Sequence, residues 1–465
     1  MKERSKIALL LFFLLTSFGV ISCGQEKTEE KSEVAQEVRE NKYPEAAKDY
    51  TIYEVNVRQY TPEGTFNAFL PHMERLKAMG VDILWFMPIQ PIGIENRKGP
   101  EEGSLGSYYS IRDYTAVNEN FGTLEDFKKV VDRAHELDMI VILDWVANHT
   151  AFDHHWTEEH PDFYNRDEEG NLIPPTGTDW TDVADLNYEN KELHNAMRDE
   201  MAWWINEADI DGFRCDVAHE VPMAFWNPAV DSLQKIKDLF MLAESDVPEM
   251  HDSAFHMTYG WGFHALSNQI AEGEKKASDI GPFLKNDRER YGEEAFRMNF
   301  TSNHDENSWN GTVFERYGDG AKTFAVLMST VQGMPLVYSG QEAALDERLE
   351  FFVKDTIEWG DYKFEDFYTK LLKLKKENPA LYNGEFGAPA EPVDLQNENV
   401  FAFDRSKDGN TVSVILNLSG DSQDVSIPDE WVGAHKDYMS GTEVELTTRQ
   451  SLDPWAYYIF ITNEN

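Results

Sequence analysis

The sequence predicts an α/β protein: a closed (β/α)8 TIM barrel with a short inserted domain after its third strand and a C-terminal antiparallel β-sandwich. Three observations point there. Eight short apolar runs begin near residues 51, 81, 139, 210, 239, 255, 296 and 335, and several are separated by segments with apolar residues at helical spacing. Polar residues close these runs, as they do at the working end of a barrel. Beyond about Ala388 the texture changes to short alternating runs broken by Gly, Asn, Asp and Pro, the pattern of antiparallel strands. A length of 465 residues accommodates a barrel of about 250 or more plus an appendage.

The chain opens with Lys2, Arg4 and Lys6 ahead of an apolar run from Ile7 to Phe18, the layout of a secretory signal and too short for a membrane span. Val20-Ile21-Ser22-Cys23 resembles the lipobox of bacterial lipoproteins, so residues 1–23 are expected to be a signal peptide and Cys23 the lipidated residue. Residues 24–48, rich in Glu, Lys, Ser and Gln, have too little apolar content to fold and are expected to form a flexible tether.

The catalytic barrel is expected over 49–386. Its first strand starts at Thr51; Phe66, Phe69, Leu70, Met73 and Leu76 then recur at helical spacing, and Gly80 closes that helix. Val81 to Met87 forms a strand stopped by Pro88. Thr123 caps a helix carrying Leu124, Phe127, Val130, Val131 and Ala134, and Met139 to Val146 is the third strand. The stretch 150–185, with Pro161, Pro174 and Pro175 and no helical period, is the expected insert. The rhythm returns with helices over 193–205 and 225–236 around a strand at Ile210, a strand at 239–244, three more at 255, 296 and 335, and a last helix carrying Phe367, Leu371 and Leu374. Residues 387–465 form the β domain.

A net charge of −43 repels phosphate backbones and anionic lipid, which argues against nucleic-acid binding and for a neutral substrate. Twelve Trp supply flat apolar faces of the kind that stack on sugars. Two cysteines, Cys23 and Cys215, do not make a disulfide framework, and Cys215 is expected to pack within its strand.

The chemistry centres on Gly212-Phe213-Arg214-Cys215-Asp216, where an arginine and a carboxylate two positions apart share one strand face. Arg214 is expected to hold Asp216 ionised, as a carboxylate nucleophile requires. Asp144, Glu244, His304 and Asp305 also fall at strand ends. Paired carboxylates at one mouth suit glycoside hydrolysis, in which one attacks the anomeric carbon and the other, kept protonated, serves the leaving oxygen. Glu244 follows the apolar run Phe240-Met241-Leu242-Ala243, which disfavours its charged form.

Asp144 to His149, Gly212 to Asp216, Glu244, and Asn303-His304-Asp305, in this order, resemble the four signature regions of the α-amylase family, glycoside hydrolase family 13. Tyr108-Tyr109, Asp185-Leu186-Asn187 and Met334 to Glu342 are similar to its secondary regions. The resemblance implies Asp216 as nucleophile, Glu244 as general acid/base and Asp305 as the third carboxylate, gripping sugar hydroxyls. It further implies that Arg214 orients Asp216, that His149 and His304 hydrogen-bond the sugar before the cleaved bond, that Tyr109 stacks on it, and that Asp144 braces the site. Trp156, Trp180 and Trp261 are candidates for more distant subsites, with packing the favoured role for each singly. No cofactor is needed for such chemistry. Asn148 matches a position that binds calcium in many members, although Glu220 stands where they have a histidine, so a structural calcium ion is an option and not a requirement.

The expected protein is an exported, lipid-anchored, retaining hydrolase of α-1,4-glucans in the bacterial cell envelope, on either face of the outer membrane. Its partners would be the glucan, the membrane through the anchor alone, and other glycan-uptake proteins. The string Asp216-Val217-Ala218-His219-Glu220 resembles that of neopullulanases, which implies slower cleavage of pullulan with Val217, His219 and Glu220 beside the leaving sugar. An α-glucosidase or a transglycosylase would use the same residues. A non-catalytic glucan-binding protein is the rival of another class, and the presence of all three carboxylates argues against it.

Overall fold

The computed structural model describes residues 41–463, and the signal peptide, Cys23 and most of the tether lie outside them. Eight parallel strands close into a barrel: β1 Ile52–Val55, β2 Ile83–Phe86, β3 Ile140–Trp145, β4 Gly212–Cys215, β5 Phe240–Ala243, β6 Met257–Tyr259, β7 Phe296–Asn299 and β8 Met334–Tyr338, with β8 returning to pair with β1. All eight fall where the apolar runs predicted them. Gly212 is required at its place because a Cβ there would lie 1.9 Å from the Phe240 carbonyl oxygen of the neighbouring strand.

Strand parity sorts the side chains. Ile52, Ile83, Trp85, Ile140, Ile142, Phe240, Leu242, Met257, Phe296, Met334 and Leu336 fill the barrel interior, while Val55, Phe86, Val141, Leu143, Phe213 and Met241 face the helices. The inward rows end in polar residues toward the carboxyl end. Ile52 leads to Glu54, Ile142 to Asp144, Gly212 to Arg214 and Asp216, and Leu242 to Glu244, so alternation alone brings these groups to one mouth.

Helix ends follow the sequence signals. Thr123 Oγ1 accepts from the backbone N–H of Asp126, whose carboxylate accepts from the Thr123 N–H, a complete capping box for helix Leu124–Glu136. Gly80, at φ 111°, ends the helix Met73–Met79. Three helices of ten or more residues lie outside the predicted ones: Trp261–Ala271, Ile280–Tyr291 and Ala321–Thr330. The last is buried on nearly every residue, so it has no polar face to reveal a period. Among the described residues no helix is long and apolar enough to cross a membrane.

One boundary is corrected. The tether was expected to reach residue 48, but Tyr43 and Ala47 are buried and join the apolar cluster inside the barrel, with the Tyr43 ring 5.6 Å from that of Phe240. The polar average of the preceding residues masks this short apolar group. The C-terminal domain is one four-stranded antiparallel sheet, β9 Glu391–Pro392, β10 Val400–Lys407, β11 Asn410–Asn417 and β16 Tyr457–Asn463, with two two-stranded ribbons in place of a second full sheet. The ribbons pair β12 Gln423–Ser426 with β15 Arg449–Leu452, and β13 Gly433–Lys436 with β14 Glu443–Leu446. Val425, Trp431, Leu446 and Leu452 form a core with Val400, Ile415 and Phe460 of the sheet. In the insert, two short strands, His149–Ala151 and Val183–Asp185, pair antiparallel.

Candidate active site

Arg214 is the hub. Completely buried, it donates from Nη1 to Asp144 Oδ1 and Asp216 Oδ1, both at 2.8 Å, and from Nε to the Tyr259 hydroxyl at 3.0 Å. Its Nη2 forms an ion pair with Glu244 Oε2 at 2.9 Å. Asp144 also accepts from Trp85 Nε1 and from the Tyr109 hydroxyl, each at 3.1 Å.

Three carboxyl groups thus share one guanidinium, and one positive charge does not balance three negative ones. Burial raises all three, partly offset by Arg214: Asp144 and Asp216 to about 6 and Glu244 to about 7. Arg214 favours the ionised form of Asp216, as expected, but the cost of burial is the larger effect and leaves Asp216 raised. The order is retained, with Glu244 the group most inclined to carry a proton.

Asp216 and Glu244 face a cavity of about 520 Å³ that Tyr109, His149, Val217 and Asp305 also line, with Asp144 buried behind it. The two histidines differ. Burial pushes His149 down to about 3, and its Nδ1 lies 3.2 Å from Asn148 Nδ2, so it is neutral. Burial also lowers His304, but Asp305 and Glu54 outweigh it and raise it to about 9. The Tyr109 ring stacks on His304 with centroids 5.4 Å apart.

Trp180 lines the cavity, whereas Trp156 packs against Tyr114 and Phe163, and Trp261 against Tyr259 and Phe300. Val217 lines it too, though not as the end of a strand: it adopts the left-handed conformation, φ 35° and ψ 46°, one residue beyond Asp216. His219 and Glu220 lie on the exposed turn that follows, pair with each other at 3.4 Å and do not line the cavity, because the left-handed residue turns the chain outward.

Calcium takes oxygen ligands, and the Asn148 contact with His149 engages the amide nitrogen and not Oδ1. Among the described residues no three His, Cys, Asp or Glu side chains converge to hold a metal ion. Cys215 is buried and free, as expected of a packing residue.

Sequence reasoning missed Glu54 and an aromatic rim. Trp309 is half exposed at the cavity edge, its ring 5.2 Å from that of Phe351 and 5.8 Å from that of Phe352, and Phe351 lies parallel to Tyr109 at 6.4 Å. The adjacent pair Phe351-Phe352 amid charged residues was the available signal.

With this geometry in hand, the model of the alpha-amylase catalytic domain matches residues 13–174 and 176–380. The chain belongs to the α-amylase family. A maltogenic α-amylase from Thermotoga neapolitana has the same fold with a TM-score of 0.80 and 30% identity, covering 90% of this chain and 99% of that one. An α-amylase from Lactobacillus plantarum superposes with a TM-score of 0.78 at 29% identity, covering 89% and 99%. An α-amylase from Haloarcula japonica is 26% identical over 401 residues, 83% of this chain and 58% of that protein's length. This α-amylase family member therefore spans little more than half of that archaeal relative.

Proposed function

We propose that this protein is a retaining α-glucan hydrolase that cleaves α-1,4-glucosidic bonds in starch-like polysaccharides and maltooligosaccharides, with pullulan as a slower substrate. The observation that carries this reading is that Asp216 and Glu244 sit on neighbouring nitrogens of one buried guanidinium at the cavity floor. That shared anchor holds the two carboxyl groups close together and supports a retaining pair, roughly 5 Å apart, in which one attacks carbon directly. Asp216 attacks the anomeric carbon while Glu244, the more readily protonated, gives its proton to the leaving oxygen; Glu244 then takes a proton from the water that releases the sugar. Asp305 and the neutral His149 face the ring hydroxyls, and Tyr109 forms the apolar floor. The export signal and Cys23 support a lipid-anchored enzyme in the cell envelope.

The test is digestion of amylose, pullulan and maltooligosaccharides with product sizing, and NMR of the first-formed anomer. An initial α product is expected, together with near-complete loss of activity in Asp216→Asn. An initial β product contradicts the mechanism. For the anchor, Cys23→Ala is expected to leave the membrane fraction.

A further inference from the structure

Glu54, on β1, is fully buried below the cavity floor, and no motif marks it. Its Oε1 lies 2.5 Å from His304 Nδ1, while its Oε2 has no hydrogen-bond partner within the protein. From His304 the line continues. Nε2 lies 2.7 Å from the Tyr109 hydroxyl, which donates to Asp144 Oδ2 at 3.1 Å, and Asp144 Oδ1 accepts from the Arg214 nitrogen that also holds Asp216.

Burial raises Glu54 and His304 offsets it; with Glu54 ionised, His304 Nδ1 is the donor between them. With the single hydroxyl proton of Tyr109 given to Asp144, the Tyr109 oxygen accepts from His304 Nε2. A ring that donates from both nitrogens is a cation. Asp305 Oδ2, 3.4 Å from Nε2, favours that charge, Arg214 opposes it, and the Trp85 ring meets the imidazole edge-on at 5.9 Å. His149, in the same mouth with no carboxylate against it, is neutral.

We propose that Glu54 is a positioning residue for the glycosidic reaction: it fixes His304 as a doubly protonated donor and, through Tyr109 and Asp144, sets the orientation of Arg214 and of the nucleophile Asp216. The proposal rests on the hydrolase reading of the site. A neutral His304 would turn a lone pair toward Tyr109 or toward Glu54, and the line would lose its direction.

The test begins without substrate, by NMR titration of the His304 ring in the whole protein, assigned with His304→Gln. A midpoint well above 7 is expected, falling by at least two pH units in Glu54→Gln and recovering in part in Glu54→Asp. In Glu54→Gln, kcat on maltoheptaose is expected to fall at least tenfold with KM changed less than threefold, and the alkaline limb of its pH profile to move. A wild-type midpoint below 7 overturns the proposal, as does a Glu54→Gln protein whose titration and pH profile coincide with wild type. If Glu54→Gln does not fold, the wild-type midpoint and Glu54→Asp still decide. A wild type that cleaves no α-glucan overturns the hydrolase reading instead, and the titration then judges the Glu54–His304 pairing by itself.

Discussion

Val217 donates its backbone N–H to Glu244 Oε2 at 2.8 Å from a left-handed conformation that a β-branched residue rarely holds. The strain of such a backbone is of the order of 1–3 kcal/mol, and it aims an amide at the carboxyl group that must handle the proton. Val217→Gly adopts the same conformation without strain and keeps the amide. Thermal unfolding is therefore expected to show a stability unchanged within about 1 kcal/mol or improved, because relief of strain offsets glycine's extra entropy in the unfolded chain. The alkaline limb of kcat/KM should stay in place. A large loss of stability would show that the Val217 side chain, and not the turn, is what the site needs.

Burial raises Asp216 to about 6 and Glu244 to about 7, so activity is expected to follow a narrow bell. It falls below about pH 6 as the nucleophile is protonated and above about pH 7 as the acid loses its proton, the two limbs belonging to the coupled pair. The same shifts predict a cost in stability. A carboxyl group raised on folding binds its proton more tightly in the native state, so its ionised form destabilises the fold above the folded value, and the penalty vanishes below the unfolded value of about 4. Glu244→Gln should therefore be more stable than wild type by about 1–3 kcal/mol at pH 8 and no more stable at pH 4, as read by denaturant unfolding. Equal gains at both pH values would contradict the shift.

Much of this site was legible because strand parity is strict. Asp144, Arg214, Asp216 and Glu244 each continue an inward row, and their order along the chain matches a family pattern. Glu54 has the same parity after Ile52, but one carboxylate on a strand is not a motif, and its partner lies 250 residues away. Val217 misleads propensity, since a β-branched residue after a strand reads as more strand. The rim of Trp309, Phe351 and Phe352 is assembled by loops whose meeting depends on the closed barrel, which local pattern does not encode. The tether was drawn too long because Tyr43 and Ala47 count for little in an average and for much in a core.

Arg405 binds the β domain to the barrel from β10. It is completely buried, has no carboxylate partner in its hydrogen bonds, and donates to the carbonyls of Thr330, Val331, Tyr382 and Ala388. Arg405→Ala leaves these acceptors unpaired and opens a void, and is expected to cost roughly 3 kcal/mol or more. Arg405→Lys should recover little, because an ammonium does not reproduce the planar fork. Chemical denaturation measures both. A mild Arg405→Ala phenotype would mean that the two domains are joined mainly by apolar packing.

Trp309 projects half exposed at the cavity edge beside Phe351, which lies parallel to Tyr109. On the proposed function, a ring so placed is expected to cover a further sugar of a long substrate. Trp309→Ala is expected to raise KM for maltoheptaose about fivefold, the equivalent of about 1 kcal/mol of stacking, with kcat nearly unchanged. A chromogenic maltoside too short to reach the rim should be cleaved as by wild type. An equal loss on both substrates would place the tryptophan's contribution in the fold.

The remaining prediction concerns the bond. Val217 lines the cavity directly beside Glu244, the side on which the proposed mechanism releases the leaving sugar, and a hydroxymethyl group that is free in an α-1,4 acceptor is the linkage itself in an α-1,6 one. An apolar branched side chain offers contact to either; a hydroxyl adds a polar demand that the two acceptors meet differently. Val217→Thr preserves volume and β-branching, so the left-handed turn and the amide contact to Glu244 should survive. The substitution isolates side-chain chemistry from backbone strain, which Val217→Gly does not. One such group in a pocket is worth about 1–3 kcal/mol of discrimination, so the ratio of pullulan to amylose cleavage is expected to fall about tenfold in Val217→Thr, measured as the ratio of kcat/KM values. If wild type leaves pullulan intact under conditions that exhaust amylose, Val217 confers no such tolerance and the activity is confined to α-1,4 bonds. If wild type cleaves both and Val217→Thr leaves their ratio unchanged, the choice of bond is made elsewhere on the cavity wall.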